Sequence, residues 1–79
     1  LFFMYYMYVI RNSKTKETYI GYSEDLKRRI REHKNKNPDL IYYEAYKSEK
    51  DARNRERQLK RRGQAIRLLK SRIKHSLQE

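Results

Sequence analysis

A predicted helix in the first half of the chain carries side chains that can bind anions and move protons. Arg29 and His33 are four residues apart, and with Leu26 and Ile30 they follow the i, i+3, i+4, i+7 spacing of one helix face. An arginine and a histidine would therefore share the stripe that faces the protein. The competing interpretation is packing, because a histidine on such a stripe is more often a hydrogen-bonded core residue than a base.

A single acidic residue, Glu56, lies in the basic C-terminal segment. Residues 52–78 contain ten Lys or Arg, and Glu56 shares a predicted helix stripe with Ala52 and Leu59. One interpretation is a half-exposed glutamate that pairs with Lys60 at i+4, worth roughly a few tenths of a kcal/mol. The other is a ligand for a divalent cation near nucleic acid, since Mg²⁺ often takes one or two carboxylates and keeps several waters. The spacing leaves both open.

Tyrosine is frequent, with eight residues in a chain of 79. Most are expected to pack, because the ring carries a large apolar area. Tyr8 and Tyr19 are of interest because their hydroxyl groups would lie close together if both face the same side of a sheet.

The sequence contains no paired carboxylates, histidine metal cluster, glycine-rich phosphate loop or Ser-His-Asp set. These patterns favour a basic α/β domain that binds nucleic acid, with a Tyr, Arg, His and Glu cluster as a candidate site.

The elements that would position these residues are short strands and helices. Aromatic and β-branched runs at 5–10 and 18–22, separated by a polar turn, predict a β-hairpin, and the run at 40–46 predicts a third strand. With three predicted helices, the element order is ββαβαα. The fold class is therefore a mixed α/β (α+β) domain.

The helices have recognisable ends in the sequence. Ser23 is predicted to cap the first helix, with Glu24 and Asp25 in its first turn. Ser48 is the predicted N-cap of the second helix, which is expected to stop at Gly63. The last helix carries an apolar stripe of four residues, Ile66, Leu69, Ile73 and Leu77.

The charge and composition restrict the class of partner. Twenty-one Lys and Arg against ten Asp and Glu give a net charge of +11. Such a charge attracts polyanions, with nucleic acid as the leading candidate and an anionic membrane as the second. The absence of cysteine excludes disulfides, zinc fingers and thiol catalysis, and it suits a reducing cytoplasm.

The length predicts one domain over residues 1–79, with a core from about residue 5 to residue 77. The apolar opening, residues 1–10, is about half as long as a membrane-spanning helix and lacks the basic start of a signal peptide. A strand is therefore expected there, and no membrane association.

Five sequence elements occur in one order: Tyr6-Met7-Tyr8, Tyr19-Ile20-Gly21 after ten intervening residues, Asp25-Leu26-x-x-Arg29, His33, and Ala52-x-x-x-Glu56-x-x-Leu59-Lys60. In these elements the chain resembles the GIY-YIG nuclease family. It is most similar to the small stand-alone bacterial members related to the N-terminal domain of the excision-repair nuclease UvrC. The first motif departs from the family pattern, because it lacks the Gly and Ile and keeps the tyrosine, Tyr8.

The resemblance implies a three-stranded antiparallel sheet flanked by helices, with one active site on the sheet. It implies that Glu56 holds one Mg²⁺ or Mn²⁺ and that no other small-molecule cofactor is used. Arg29 would contact the phosphate and stabilise the charge that develops on its oxygens. Gly21 would let the backbone turn tightly under the site.

The resemblance also assigns the proton transfers. Tyr8 would accept a proton from the attacking water or orient it, and Tyr19 would position that water. His33 would assist the transfer or hold Tyr8. A phenol is largely protonated at neutral pH, so Tyr8 would need help from the metal or from Arg29.

Two functions from different classes follow from these observations. The first is a divalent-metal-dependent endonuclease that hydrolyses DNA with low sequence specificity, with a preference for branched DNA expected by analogy. The alternative is a non-catalytic nucleic-acid-binding module on the same scaffold. Both need contacts to the phosphate backbone, for which four residues are expected: Arg11, Lys27, Arg28 and Lys60.

Overall fold

The computed structural model describes residues 3–79, so Leu1 and Phe2 of the predicted domain lie outside the described residues. A short 3-10 turn follows the first helix. The elements are β1 (Tyr5–Asn12), β2 (Thr18–Ser23), α1 (Leu26–Glu32), β3 (Pro38–Tyr46), α2 (Glu49–Arg61), α3 (Gly63–Arg72) and α4 (Lys74–Gln78). Within the described range, no helix has the length and apolar character needed to cross a membrane.

The three strands form one antiparallel sheet in the order β2-β1-β3. This arrangement, with helices against it, confirms the predicted fold class. Strand β1 is central, and five consecutive residues of it, 7–11, are buried. A strand buried on both faces explains why its sequence is aromatic and aliphatic without alternation. The pairing with β3 shifts register between Val9 and Ile10.

The core lies between the sheet and the C-terminal helices. Met7 and Val9 of β1 pack with Leu59 of α2, Leu69 of α3 and Ile73, all at most 8% exposed. Full burial of one such side chain contributes about 1.5–3 kcal/mol. The apolar stripe predicted for the last helix therefore packs α3 and Ile73 against the sheet. The same packing holds α2 against β1 and β2.

Helix α1 begins two residues later than predicted. Ser23 ends strand β2, and its hydroxyl exchanges hydrogen bonds with the backbone of Asp25. Asp25 is the N-cap instead, since its side chain accepts a hydrogen bond from the Arg28 N–H at 3.1 Å. Both residue types cap helices well, and the strand decides between them because it holds Ser23 in its ladder.

The C-terminal helices also end differently from the prediction. Gly63 is the first residue of α3, and neither glycine described in the structure has a positive φ. The extended backbone of Arg62 ends α2 and redirects the chain. Ser48 does precede α2, but its side chain makes no capping hydrogen bond. The predicted last helix is divided at Ile73 into α3 and α4.

Candidate active site

The site begins with a close approach between β1 and β2. Tyr8 pairs with Gly21 across the two strands, and the tyrosine ring lies directly over the glycine. A Cβ at position 21 would be 2.3 Å from Cζ and from the hydroxyl oxygen of Tyr8. The predicted tight turn at Gly21 is wrong, because the residue lies inside a strand. The glycine is needed because a side chain there would displace the phenol.

The Tyr8 hydroxyl is held by two residues of the first helix region. Arg29 Nε donates to it at 3.3 Å, and His33 Nε2 lies 3.2 Å from it. The rings of Tyr8 and His33 meet edge to face at a centroid distance of 6.2 Å. Tyr8 is 2% exposed, so the hydroxyl has a fixed position. The four-residue spacing of Arg29 and His33 brings both side chains to the same phenol.

The hydrogen bonds around Tyr8 determine the direction in which its phenol proton can move. Because Arg29 donates to the phenol oxygen, the phenol proton is available to His33 when Nε2 is the unprotonated nitrogen of the ring. The hydrogen bonds from Arg29 to Tyr8 and to Glu32 raise the pKa of the guanidinium above its ordinary value. Arg29 is therefore a permanent positive charge beside the phenol oxygen.

Glu56 faces the same space from helix α2. Its side chain is 21% exposed, and Lys60 Nζ lies 3.1 Å from Oε2. It also borders a cavity of about 370 Å³. We call this space the Glu56 cavity; the residues around it include Tyr8, Tyr19, Gly21, Arg29, His33, Glu56 and Lys60. Both interpretations of Glu56 are thus present together, since it is paired with Lys60 and also borders this cavity.

The donor set around Glu56 fits a divalent cation that keeps most of its waters. Among residues 3–79 there is no group of three or more His, Cys, Asp or Glu side chains that could hold a metal. A single half-buried carboxylate at an open cavity matches the way Mg²⁺ is often held in proteins, through one or two carboxylates together with waters and substrate phosphates. Glu56 is the residue that would hold it.

A family model for the GIY-YIG catalytic domain matches residues 4–70. The chain belongs to the GIY-YIG family. The match covers both tyrosine motifs, helix α1 and Glu56, which are the elements of the Glu56 cavity. A search of curated proteins and a search of solved structures found no match. Nucleases of this family generally depend on a divalent metal, which agrees with the chemistry of the cavity.

Tyr19 lies on the same sheet face as Tyr8. It pairs with Ile10, two residues from Tyr8 on β1, and it borders the Glu56 cavity. Its hydroxyl donates to Glu17 at 2.7 Å. That hydrogen bond, with a smaller effect of burial, raises the pKa of the Tyr19 phenol. Tyr19 stays protonated at neutral pH, and because its one O–H proton is donated to Glu17, its hydroxyl oxygen can act only as an acceptor towards the cavity while that bond holds.

Two polar side chains that border the cavity, Tyr22 and Arg53, are not among the site residues predicted from the sequence. The guanidinium of Arg53 lies 4.1 Å from the centre of the Tyr22 ring, and both side chains donate to Glu49. Both residues border the Glu56 cavity. Arg53 is three residues before Glu56 on α2, so the helical period could have indicated it. Nothing in the sequence distinguishes Tyr22 from the tyrosines that only pack.

Arg11 does not lie at the site, which corrects its predicted contact with nucleic acid. It is 6% exposed, and its guanidinium donates to the backbone oxygens of Leu77 and Glu79 and to Asp39. These bonds attach the end of α4 to the sheet. Arg28 remains an exposed candidate for a phosphate contact, although it also pairs with Glu32 at 3.5 Å.

Proposed function

We propose that the chain is a divalent-metal-dependent endonuclease that hydrolyses DNA phosphodiester bonds, leaving a 5′ phosphate and a 3′ hydroxyl. The observation that carries the proposal is the convergence of a phenol, a guanidinium, an imidazole and a carboxylate on one cavity. Tyr8, Arg29, His33 and Glu56 come from three separate elements, so packing alone gives no reason for them to meet.

Tyr8 and His33 would move the proton of the attacking water. As the water oxygen bonds to phosphorus, its proton passes to the Tyr8 oxygen and the phenol proton passes to His33 Nε2. The 3.2 Å separation of the two side chains is within reach of such a transfer. Arg29, at 3.3 Å, stabilises the negative charge on the phenol oxygen while the proton is in transit.

Arg29 and Glu56 would act on the phosphate as the bond from phosphorus to the 3′ oxygen breaks. Nη1 of Arg29 pairs with Glu32 at 3.1 Å, which orients the guanidinium. Arg29 then offers N–H groups to the phosphate oxygens, where negative charge increases in the transition state. Glu56 would hold a divalent cation, which would supply positive charge near the phosphate, and solvent would provide the proton for the departing 3′ oxygen.

The substrate would be bound mainly through its backbone. Lys27, Arg28 and Lys60 are exposed cations; Lys60 borders the Glu56 cavity, whereas Lys27 and Arg28 lie on α1 outside it. Contacts of this kind position DNA without reading its sequence. Low sequence specificity is therefore part of the proposal. A role in DNA repair or recombination would suit such an enzyme.

The experiment is nicking of supercoiled plasmid with Mg²⁺ or Mn²⁺, and with EDTA as the metal-free control. Wild type is compared with Glu56→Ala and Tyr8→Phe, and DNA binding of all three is measured separately. We expect wild type to nick only with metal, and both variants to bind DNA while nicking at least about 10²-fold more slowly.

The binding measurement separates the two functions considered for the sequence. A wild-type protein that binds DNA but nicks neither plasmid nor branched DNA with either metal would be a binding module, and the proposal would be wrong. Nicking that persists at the wild-type rate in Glu56→Ala would also reject it.

A further inference from the structure

A groove on another flank of helix α1 combines apolar walls with a basic rim. Its volume is about 580 Å³, and among the residues that the structure describes it shares none of its lining with the Glu56 cavity. Arg29 and His33 border the cavity, whereas Lys27 and Arg31 border the groove. We call it the Tyr43 groove, because Tyr43 of β3 forms its most exposed aromatic wall.

The apolar wall of the groove is open to solvent. Tyr43 is 50% exposed and Leu40 is 38% exposed, although both are large apolar residues. The Tyr43 ring meets the Tyr6 ring edge to face at 5.8 Å between centroids, which supports its position. A half-exposed, supported aromatic ring is a surface on which a planar group can stack.

The rim carries positive charge that the protein does not neutralise. Lys27 and Arg31 are four residues apart on α1, and within the described part of the chain neither has a carboxylate at ion-pair distance. Their neighbours Arg28 and Arg29 both pair with Glu32. Like charges at this spacing repel each other, so the pair is unfavourable until an anion binds between them.

We propose that the Tyr43 groove binds an unpaired nucleotide of the DNA substrate. The base stacks on Tyr43, and its phosphate lies between Lys27 and Arg31. A base inside a duplex has no free face, so only an unpaired one can reach the tyrosine. The inference rests on the proposed function, because it names the form of substrate that the same active site would cut: a strand with an unpaired nucleotide near the scissile bond.

The experiment measures binding in EDTA, where no cleavage occurs. Two probes are compared by fluorescence anisotropy: a duplex, and the same duplex with a single-stranded extension that contains 2-aminopurine. We expect Tyr43→Ala to weaken binding of the extended probe about tenfold and binding of the duplex less than about twofold. Quenching of 2-aminopurine should be lost in Tyr43→Ala and kept in Tyr43→Phe.

Two matched controls separate the groove from general effects. Phe3→Ala removes another exposed aromatic ring, 84% exposed, and should change neither affinity. Arg31→Glu and Lys70→Glu make the same change in net charge. Only Arg31→Glu should lower the ratio of extended-probe affinity to duplex affinity, because Lys70 lies on α3, outside the groove.

Three results would overturn the inference. Tyr43→Ala could leave both affinities unchanged, could lower both equally, or could alter the sedimentation of the protein without changing selectivity. The last result would make the groove a contact between copies of the chain. Binding is measured without metal, so it does not depend on nuclease activity. If the proposed nuclease function is wrong, nicking will be absent while Tyr43-dependent binding of the extended probe remains. If the groove proposal is wrong, nicking can remain while binding of the extended probe does not depend on Tyr43.

Discussion

Glu44 on β3 and Glu56 on α2 are both half-buried carboxylates, with 17% and 21% of the side chain exposed. Glu44 accepts hydrogen bonds from the hydroxyls of Tyr42 and Tyr46 and from the guanidinium of Arg55. We call these four residues the Glu44 cluster. Burial alone would raise the pKa of Glu44, but the hydrogen bonds from its three partners outweigh that effect and lower it.

Glu56 has far fewer donors. Within residues 3–79 its ion-pair partner is Lys60, and the carboxylate borders the Glu56 cavity. The two carboxylates differ in how many protein donors they accept from. Glu44 is fully hydrogen-bonded within the protein and stabilises the fold, whereas Glu56 borders an open cavity and can bind a ligand. Arg55 and Glu56 are adjacent, so the Glu44 cluster also fixes the helix that carries Glu56.

The largest effect is expected from Gly21→Ala, which tests the catalytic role of the Glu56 cavity. The new Cβ would lie 2.3 Å from the Tyr8 hydroxyl, and the buried ring must shift away from Arg29 and His33. We expect nicking to fall about 10³-fold, because a general base loses its position. Plasmid nicking measures the loss of activity, and thermal unfolding measures the effect of the displaced ring on stability.

Gly63→Ala is the matched control for that substitution. In the described part of the chain, a Cβ at Gly63 meets nothing within 4 Å, and the φ of Gly63 is not positive. Nicking should be unchanged, and the free energy of unfolding should rise by about 0.4–1 kcal/mol through a less flexible unfolded chain. Equal loss of nicking in the two variants would mean that the contact between Tyr8 and Gly21 is irrelevant.

A smaller effect is expected from Arg29→Lys. Lysine keeps the positive charge but cannot offer several N–H groups in one plane to Tyr8, Glu32 and a phosphate. We expect nicking to fall about 10²-fold with little change in DNA affinity. Arg28→Lys, one residue earlier and outside the cavity, should nick at nearly the wild-type rate. A wild-type rate in Arg29→Lys would show that charge alone is sufficient.

Glu44→Gln tests the structural role of the Glu44 cluster. It leaves the half-buried Arg55 without its carboxylate, and we expect the free energy of unfolding to fall by about 1.5–3 kcal/mol. Urea unfolding measures this, and nicking of the folded variant should stay within about twofold of wild type. Glu24→Gln, at an exposed position, is the control and should change neither quantity.

The smallest effect is the pH dependence of the same cluster. Since the pKa of Glu44 is lowered in the folded state, its contribution to stability is complete above the ordinary value of 4.5 and is lost as pH falls through the lowered pKa. Burial, then the hydrogen bond to Glu44, raises the pKa of Tyr46 to about 12, so its contribution is lost as pH rises from 10 to about 12.

Urea unfolding across both ranges checks these directions. The stability difference between wild type and Glu44→Gln should shrink below pH 4.5, and the difference between wild type and Tyr46→Phe should shrink above pH 10. A difference that stays constant from pH 7 to pH 3 would contradict the role given to Glu44.

The sequence predicts the site better where helical period and strand alternation decide the geometry. Arg29 and His33 share a stripe because they are four residues apart, and the inward position of Glu56 follows from Ala52 and Leu59. The three strands follow from their aromatic and β-branched runs. These features depend on local spacing, which a sequence displays directly.

Contacts between distant residues could not be predicted in this way. The role of Gly21 depends on the register that places it opposite Tyr8, and Ser23 lost its capping role because strand β2 extends to include it. The sequence predicts that Arg11 contacts nucleic acid, but its guanidinium donates to the backbone carbonyl of Leu77 on α4, 66 residues later in the chain. In each case pairing at long range overrides the local signal.

The most direct test measures plasmid nicking and urea unfolding on the same preparations of Glu56→Gln and Glu44→Gln. We expect Glu56→Gln to nick at least about 10²-fold more slowly, with a free energy of unfolding within about 0.5 kcal/mol of wild type. Glu44→Gln should show the opposite, with reduced stability and a nearly unchanged rate. Nicking at the wild-type rate in Glu56→Gln would contradict a catalytic role for Glu56.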